Sequence, residues 1–170
     1  MVKIDRDNAD AKAPAEKDKG IFVTIFTDGS YCPNTTAWGV GIWIRYSDEK
    51  PVELSLGGLG DHDNIYQVEL YGLYHAFEYI MENYDLVGKV VVFQCDNVGA
   101  VTTAFNAYVN KLKTAGVRFV KAKHVKAHTN NATNRTQVNR IVDRLAGIEM
   151  RKHRKVSRVG VKSDVIQDIE

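Results

Sequence analysis

The chain has 170 residues, 44% hydrophobic and 26% charged, enough apolar material for one folded domain and too much for wholesale disorder. No run approaches the roughly 18 apolar residues of a membrane span, and the first twenty residues mix charges, so neither a membrane anchor nor a secretory signal is expected. The net charge of +2 hides an asymmetry: residues 21–110 hold three Lys/Arg against eleven Asp/Glu, and residues 111–158 hold fourteen against two. Such a basic half either faces a polyanion or forms a solvated surface that balances the acidic half. Cys32 and Cys95 are too few for a disulfide framework and lack zinc-ligand spacing, so a reducing cytoplasm is the expected compartment.

Residues 1–19 are polar, contain Pro14 and show no apolar period, and read as a disordered arm. The pattern changes at Gly20. Ile21 to Thr27 is a nearly continuous run of β-branched and aromatic residues, as in a strand covered on both faces. Gly29, Ser30, Pro33 and Asn34 predict a turn, followed by a strand over Trp38–Tyr46, a turn at Asp48 to Pro51, and a strand around Val52–Leu56. A helix is expected over Ile65–Asn83, on the spacing of Leu73, Ala76, Phe77, Ile80 and Met81. Strands at Lys89–Cys95 and Val117–Val125 bracket a helix from Val98 to about Lys113. The last helix runs from Arg135 to about Lys152, with Val138, Ile141, Val142, Leu145 and Ala146 in period. The order β-β-β-α-β-α-β-α predicts an α/β domain over 20–155: one mixed five-stranded sheet, strands 1–3 antiparallel and strands 4–5 parallel, flanked by helices. Residues 156–170 show no firm pattern and read as a tail.

Four acids fall where an unpaired carboxylate should be repelled. Asp28 ends the most apolar strand, Asp96 ends the next most apolar, Glu69 shares the core stripe of its helix, and Asp143 lies between Val142 and Leu145. Buried carboxylates need a cation, hydrogen bonds or a raised pKa. Acids at the carboxyl ends of neighbouring strands would make an oxygen-rich site of the kind Mg²⁺ or Mn²⁺ prefers, and beside a basic half such a site points to phosphodiester chemistry. Plainer roles stand beside this one. Asp96 before Asn97 could cap the following helix, and Asp143 could pair with Arg140 or Arg144.

Thr27-Asp28-Gly29-Ser30, Glu69-Leu70, Asp96, Val125-Lys126-Ala127-His128 and Asp143-Arg144-Leu145-Ala146, in this order, resemble type 1 ribonuclease H over Ile21 to Lys152. The resemblance implies a ribonuclease H-like fold and an endonuclease that hydrolyses the RNA strand of RNA·DNA hybrids, leaving 5′-phosphate and 3′-hydroxyl ends. It implies that Asp28, Glu69, Asp96 and Asp143 hold two Mg²⁺ ions (Mn²⁺ as a substitute), that Asp28 bridges both, and that His128 assists proton transfer or product release. Substrate contacts are implied at Gly29, Ser30, Asn34, Asn64, Gln67, Asn97 and Lys126. Asn34 also reads as a turn asparagine beside Pro33, and Lys126 as either a phosphate contact or a solvated lysine. The partner would be the hybrid alone, with no membrane, and the protein a monomer.

The chain departs from the family pattern in several places. Ile65 and Tyr66 stand where the family often has asparagines, and Trp38 where a small residue is common. Asp96 to His128 is too short for the extra basic helix of some members, so affinity would depend on Lys111, Lys113, Lys121, Lys123 and the last helix. The polar stretch Thr129–Gln137 predicts an extended loop. The basic run Arg151, Lys152, Arg154, Lys155 and Arg158 either tracks phosphate or ends a solvated helix. Other readings are a related nuclease of the same architecture acting on another nucleic acid, and a non-catalytic hybrid-binding module.

Overall fold

The computed structural model describes residues 20–124 and 134–164, with side chains through residue 157. The expected arm over 1–19, Lys126 and His128 lie outside the described residues, as does the end of the expected tail. The elements are β1 (Phe22–Cys32), β2 (Ala37–Tyr46), β3 (Val52–Leu59), α1 (Ile65–Asn83), β4 (Val90–Cys95), α2 (Val98–Thr114), β5 (Phe119–His124) and α3 (Asn134–Asp164). They form one five-stranded sheet in the order β3-β2-β1-β4-β5. β1 to β3 are antiparallel neighbours, whereas β4 runs parallel to β1 and β5 parallel to β4.

The continuous apolar strands are covered on both faces, as their composition requires. Val23, Ile25, Val91 and Phe93 join Leu73, Phe77, Val101 and Leu112 in the larger core beneath α1 and α2. On the opposite face Phe26, Trp43 and Val142 form a smaller core beneath α3, with the Phe26 and Trp43 rings edge to face at 5.6 Å. β2 is where helices approach most closely. A Cβ at Gly41 would overlap the Val142 carbonyl, and one at Gly39 the Ala146 carbonyl, so α3 lies directly on the strand backbone. On the other face, Gly72 of α1 admits the Val40 side chain, which a Cβ would meet at 2.7 Å.

Four expectations need correction. β1 does not end at Asp28: Gly29 and Ser30 are strand residues paired with Val40 and Gly39, and the turn covers Pro33–Thr36. The extended ladder with β2 outweighs the local turn signal of glycine and serine. β3 reaches Leu59 rather than Leu56, and β5 starts at Phe119 because Val117 donates its amide to the Leu112 carbonyl at 3.1 Å. α3 begins at Asn134, one residue before the expected Arg135, and the expected loop from Thr129 up to that point lies outside the described residues. It also continues to Asp164, past the expected end near Lys152. No apolar period announces that extension.

Candidate functional site

Asp28 lies on β1 opposite Gly41 of β2, just past the point where the β1–β4 pairing stops at Phe26 and Gln94. The next strand on that side ends at Cys95, leaving a crevice where the sheet changes from antiparallel to parallel neighbours. Glu69 enters the crevice from α1, Asp96 directly follows β4, and Asp143 comes from α3 on the other sheet face. Glu69, Asp96 and Asp143 all act electrostatically on Asp28, so the four acids expected from sequence do converge.

Close packing sets the positions. A Cβ at Gly29 would lie 3.1 Å from Val68 Cγ1 and 3.2 Å from the Glu69 carboxyl carbon, so only glycine lets α1 seat Glu69 this near β1. The Gly29 amide donates to Asp28 Oδ1 at 2.9 Å, and Cys95 Sγ donates to Glu69 Oε2 at 3.2 Å. Burial, then the Glu69 charge, raises the Cys95 thiol well above its ordinary range, so it stays a protonated donor. Asp96 is not a helix cap. Asn97 has that role, accepting the Ala100 amide at 2.9 Å, while the Asp96 carbonyl accepts from His124 Nε2 at 2.7 Å.

Burial does not treat the four acids alike, which corrects the sequence expectation. Glu69 is buried, Asp28 half-buried, and Asp96 and Asp143 are exposed. Burial, then repulsion from Glu69, Asp96 and Asp143, raises Asp28 to about 9, against which the Gly29 amide is the one opposing influence among the described residues. Burial, then the Asp96 charge, raises Glu69 to about 7 despite hydrogen bonds from Cys95, Gly29 and Asp28. Burial and mutual repulsion thus oppose full ionisation of the cluster, which a bound cation would favour. Carboxylate oxygens of Glu69 and Asp96 lie within 4.8 Å of each other, and these oxygens, rather than the protonated Cys95 sulfur beside them, suit a hard divalent ion.

The shifts have a consequence for stability. Raised carboxyl values favour the folded state below the ordinary carboxyl range, and that contribution is lost as pH climbs through about 7 for Glu69 and about 9 for Asp28. In a chelator, the melting temperature is expected to fall from pH 6 to pH 9 (values roughly bracketing those transitions), and less so in Asp28→Asn. Parallel curves for the two proteins would contradict the assignment.

The other expected contacts take several roles. Asn64 caps α1 by accepting the Gln67 amide at 3.0 Å, and the Gln67 side chain accepts from the Asp63 amide at 2.8 Å, a reciprocal cap. Asn34 is exposed in the β1–β2 turn, and Ser30 sits two residues past Asp28 on the same strand. Tyr66 bonds Thr103 Oγ1 at 2.8 Å and ties α1 to α2, whereas Ile65 is exposed. Trp38 is buried, and its indole donates to Asp61 Oδ2 at 3.0 Å. Lys111 lies over the Tyr108 ring at 4.8 Å. No ion pair joins Asp143 to Arg140 or Arg144 among the described residues. Sequence reasoning missed Cys95 and His124 as site residues. The period-two alternation of β4, which puts Cys95 on the same face as Phe93 and next to Asp96, was the available signal for the first. Nothing local marked the second.

No protein-family model matches the chain, and no curated protein matches it. Solved structures do. LC11-RNase H1 in complex with an RNA/DNA hybrid is 18% identical with a TM-score of 0.56, covering 76% of this chain and 97% of its own. The N-terminal RNase H domain of a Mycobacterium tuberculosis protein is 17% identical at a TM-score of 0.55, covering 76% and 99%. RNase H1 of the archaeon Halobacterium salinarum is 17% identical at 0.52, covering 77% and 98%. The sheet order, the helices on both faces and these likenesses give the chain the ribonuclease H fold.

Proposed function

We propose that the chain is a metal-dependent endonuclease that hydrolyses the RNA strand of RNA·DNA hybrids, leaving 5′-phosphate and 3′-hydroxyl ends. The observation that carries this is the convergence of Asp28, Glu69, Asp96 and Asp143, whose repulsion adds to burial in raising Asp28 to about 9. A non-catalytic binder would gain nothing from gathering carboxylates where phosphates must approach. Similarity to a hybrid-bound RNase H1 structure supports the choice of substrate.

Asp28, Glu69, Asp96 and Asp143 would hold two Mg²⁺ ions, with Mn²⁺ as a substitute. Bound there, the ions supply Lewis acidity: a lowered pKa for the attacking water and charge stabilisation at the leaving 3′ oxygen. The chain's own groups prepare that site. The Gly29 amide fixes one Asp28 oxygen, Cys95 orients Glu69, and His124 anchors the backbone at Asp96. Gly29, Ser30 and Asn34 lie in order along β1 and its turn, where they would meet the minor groove and the 2′-hydroxyls that distinguish RNA. Asn64, Gln67 and Asn97 border the crevice at the starts of α1 and α2 and would add contacts beside their capping bonds. Lys126 and His128 are assigned a phosphate contact and assistance in proton transfer. The protein would act as a monomer in the cytoplasm.

The test is cleavage of end-labelled RNA·DNA, RNA·RNA, DNA·DNA and single-stranded RNA of one sequence, with Mg²⁺ and with a chelator. Cutting confined to the RNA strand of the hybrid and abolished by chelation is expected. Cutting of DNA would move the protein to another substrate class, and binding without cutting would make it a hybrid-binding module.

A further inference from the structure

α3 carries a line of positive charge that the acid site does not use. At 3.6 residues per turn, Arg154, Arg140, Arg151, Arg144 and Lys155 fall within about 120° on one side of Asp143, while Val142 and Ala146 fall on the other. Val142 and Ala146 are buried, whereas Arg140, Arg144, Arg151 and Lys155 are exposed and Arg154 is half-buried. Asp143 therefore stands on the border between the face of α3 that packs on the sheet and a basic stripe. None of the five cations is ion-paired within the described residues; the pairs on this helix join Glu149 to Lys152 and His153. Nor does an acid interrupt the stripe.

Packing fixes the direction of this stripe. The Val142 carbonyl lies against Gly41, which pairs with Asp28, and the Ala146 carbonyl lies against Gly39, which pairs with Ser30. Advancing along α3 thus follows β1 from the acid site towards the turn that holds Asn34. The guanidinium of Arg151 lies over Gly147, one turn back towards Asp143, where a Cβ would meet its Nη1 at 2.9 Å. Farther along, the charge of Arg154 reaches Cys32 at the end of β1. That thiol sits below its ordinary range chiefly through the Thr35 hydrogen bond, with Arg154 a smaller contribution.

We propose that this stripe is a second backbone-binding track, holding phosphates of the substrate strand beyond the scissile position and continuing the line from Asp143 to Arg154 and Lys155. From Asp143 to Arg154 is about 16 Å of helix, which spans roughly five phosphates at about 3.4 Å of axis each. A row of arginines at this spacing suits phosphate oxygens, which guanidinium groups bind in a bidentate fashion. The inference rests on the hybrid-nuclease reading and deepens it: affinity for the substrate resides in α3 instead of in a separate basic element.

The test uses the full chain and a labelled RNA·DNA hybrid long enough to cross both the acids and Lys155. Binding is followed by anisotropy in Ca²⁺ over a series of salt concentrations. The variant R151Q/R154Q/K155Q is expected to bind roughly 10- to 100-fold more weakly at ~0.1 M salt, with the slope of log affinity against log salt shallower by roughly 2–3. The charge-conserving R151K/R154K/K155R should keep the salt slope and lose much less affinity than the first variant, since only the bidentate geometry is removed. An unchanged affinity and slope in the first variant overturns the track, and so does equal weakening in both, since charge is then not what matters. A stripe needed for phosphatidylserine vesicles but not for hybrid would assign it to lipid and overturn the proposal. Failure of the unaltered protein to bind hybrid at all would instead overturn the functional reading, and the track with it.

Discussion

Asp28→Asn is expected to abolish cleavage, lowering the single-turnover rate by about 10³-fold or more, the scale on which loss of a group acting at the reacting centre is felt. Asparagine matches aspartate in shape. Its oxygen can still accept the Gly29 amide, so what is removed is the capacity for charge. That charge is the one all three other acids act upon. Hybrid binding in Ca²⁺ should be kept or improved, because a negative charge facing phosphate has gone. The metal-free protein should also become more stable, since burial and repulsion oppose the Asp28 charge in the folded state alone. A gain of about 1 kcal/mol would appear as a rise of about 2–4 °C in a domain of this size. Cleavage within tenfold of the unaltered protein would remove Asp28 from the site.

Gly41→Ala is expected to have the largest effect on stability, a loss of about 3 kcal/mol or more, seen as a fall in melting temperature of roughly 6–12 °C. The added methyl would overlap the Val142 carbonyl and lie 2.9 Å from Leu145 Cβ, and a helix backbone cannot rotate aside as a side chain can. The residue after Val142 is Asp143, so α3 can relieve the clash only by moving an acid of the site. Molecules that still fold should therefore also cleave more slowly. Gly20→Ala is the control: a Cβ there meets nothing within 4 Å, and the melting temperature should be nearly unchanged. An equal response from both variants would show that loss of chain flexibility in the unfolded state, rather than contact with α3, governs the outcome.

How much of this was legible in the sequence depends on how far apart the interacting residues lie. The apolar run through Phe26 marks β1, and the spacing of Leu73, Ala76, Phe77 and Ile80 marks α1, because both signals come from neighbours along the chain. The four acids were recognised from their positions on such elements, and the structure brings them together. Gly29 and Ser30 misled because glycine and serine favour turns locally, while the pairing that holds them in β1 comes from β2. Asn64, Gln67 and Asn97 suit ligand contact by residue type, yet each makes a helix-capping bond that local sequence also allows.

By itself, then, the sequence determined the elements, their order and the residues able to do the chemistry, since these follow from periodicity and side-chain type. Tertiary structure alone decided which acids are buried, that Cys95 meets Glu69 across 26 residues of chain, and that His124 holds the Asp96 carbonyl across 28. It alone decided that Gly39 and Gly41 carry α3, and so which way the basic face of that helix runs. The physical reason is that burial and repulsion depend on the register between distant segments, and register is set when whole faces pack, not by any local run of residues.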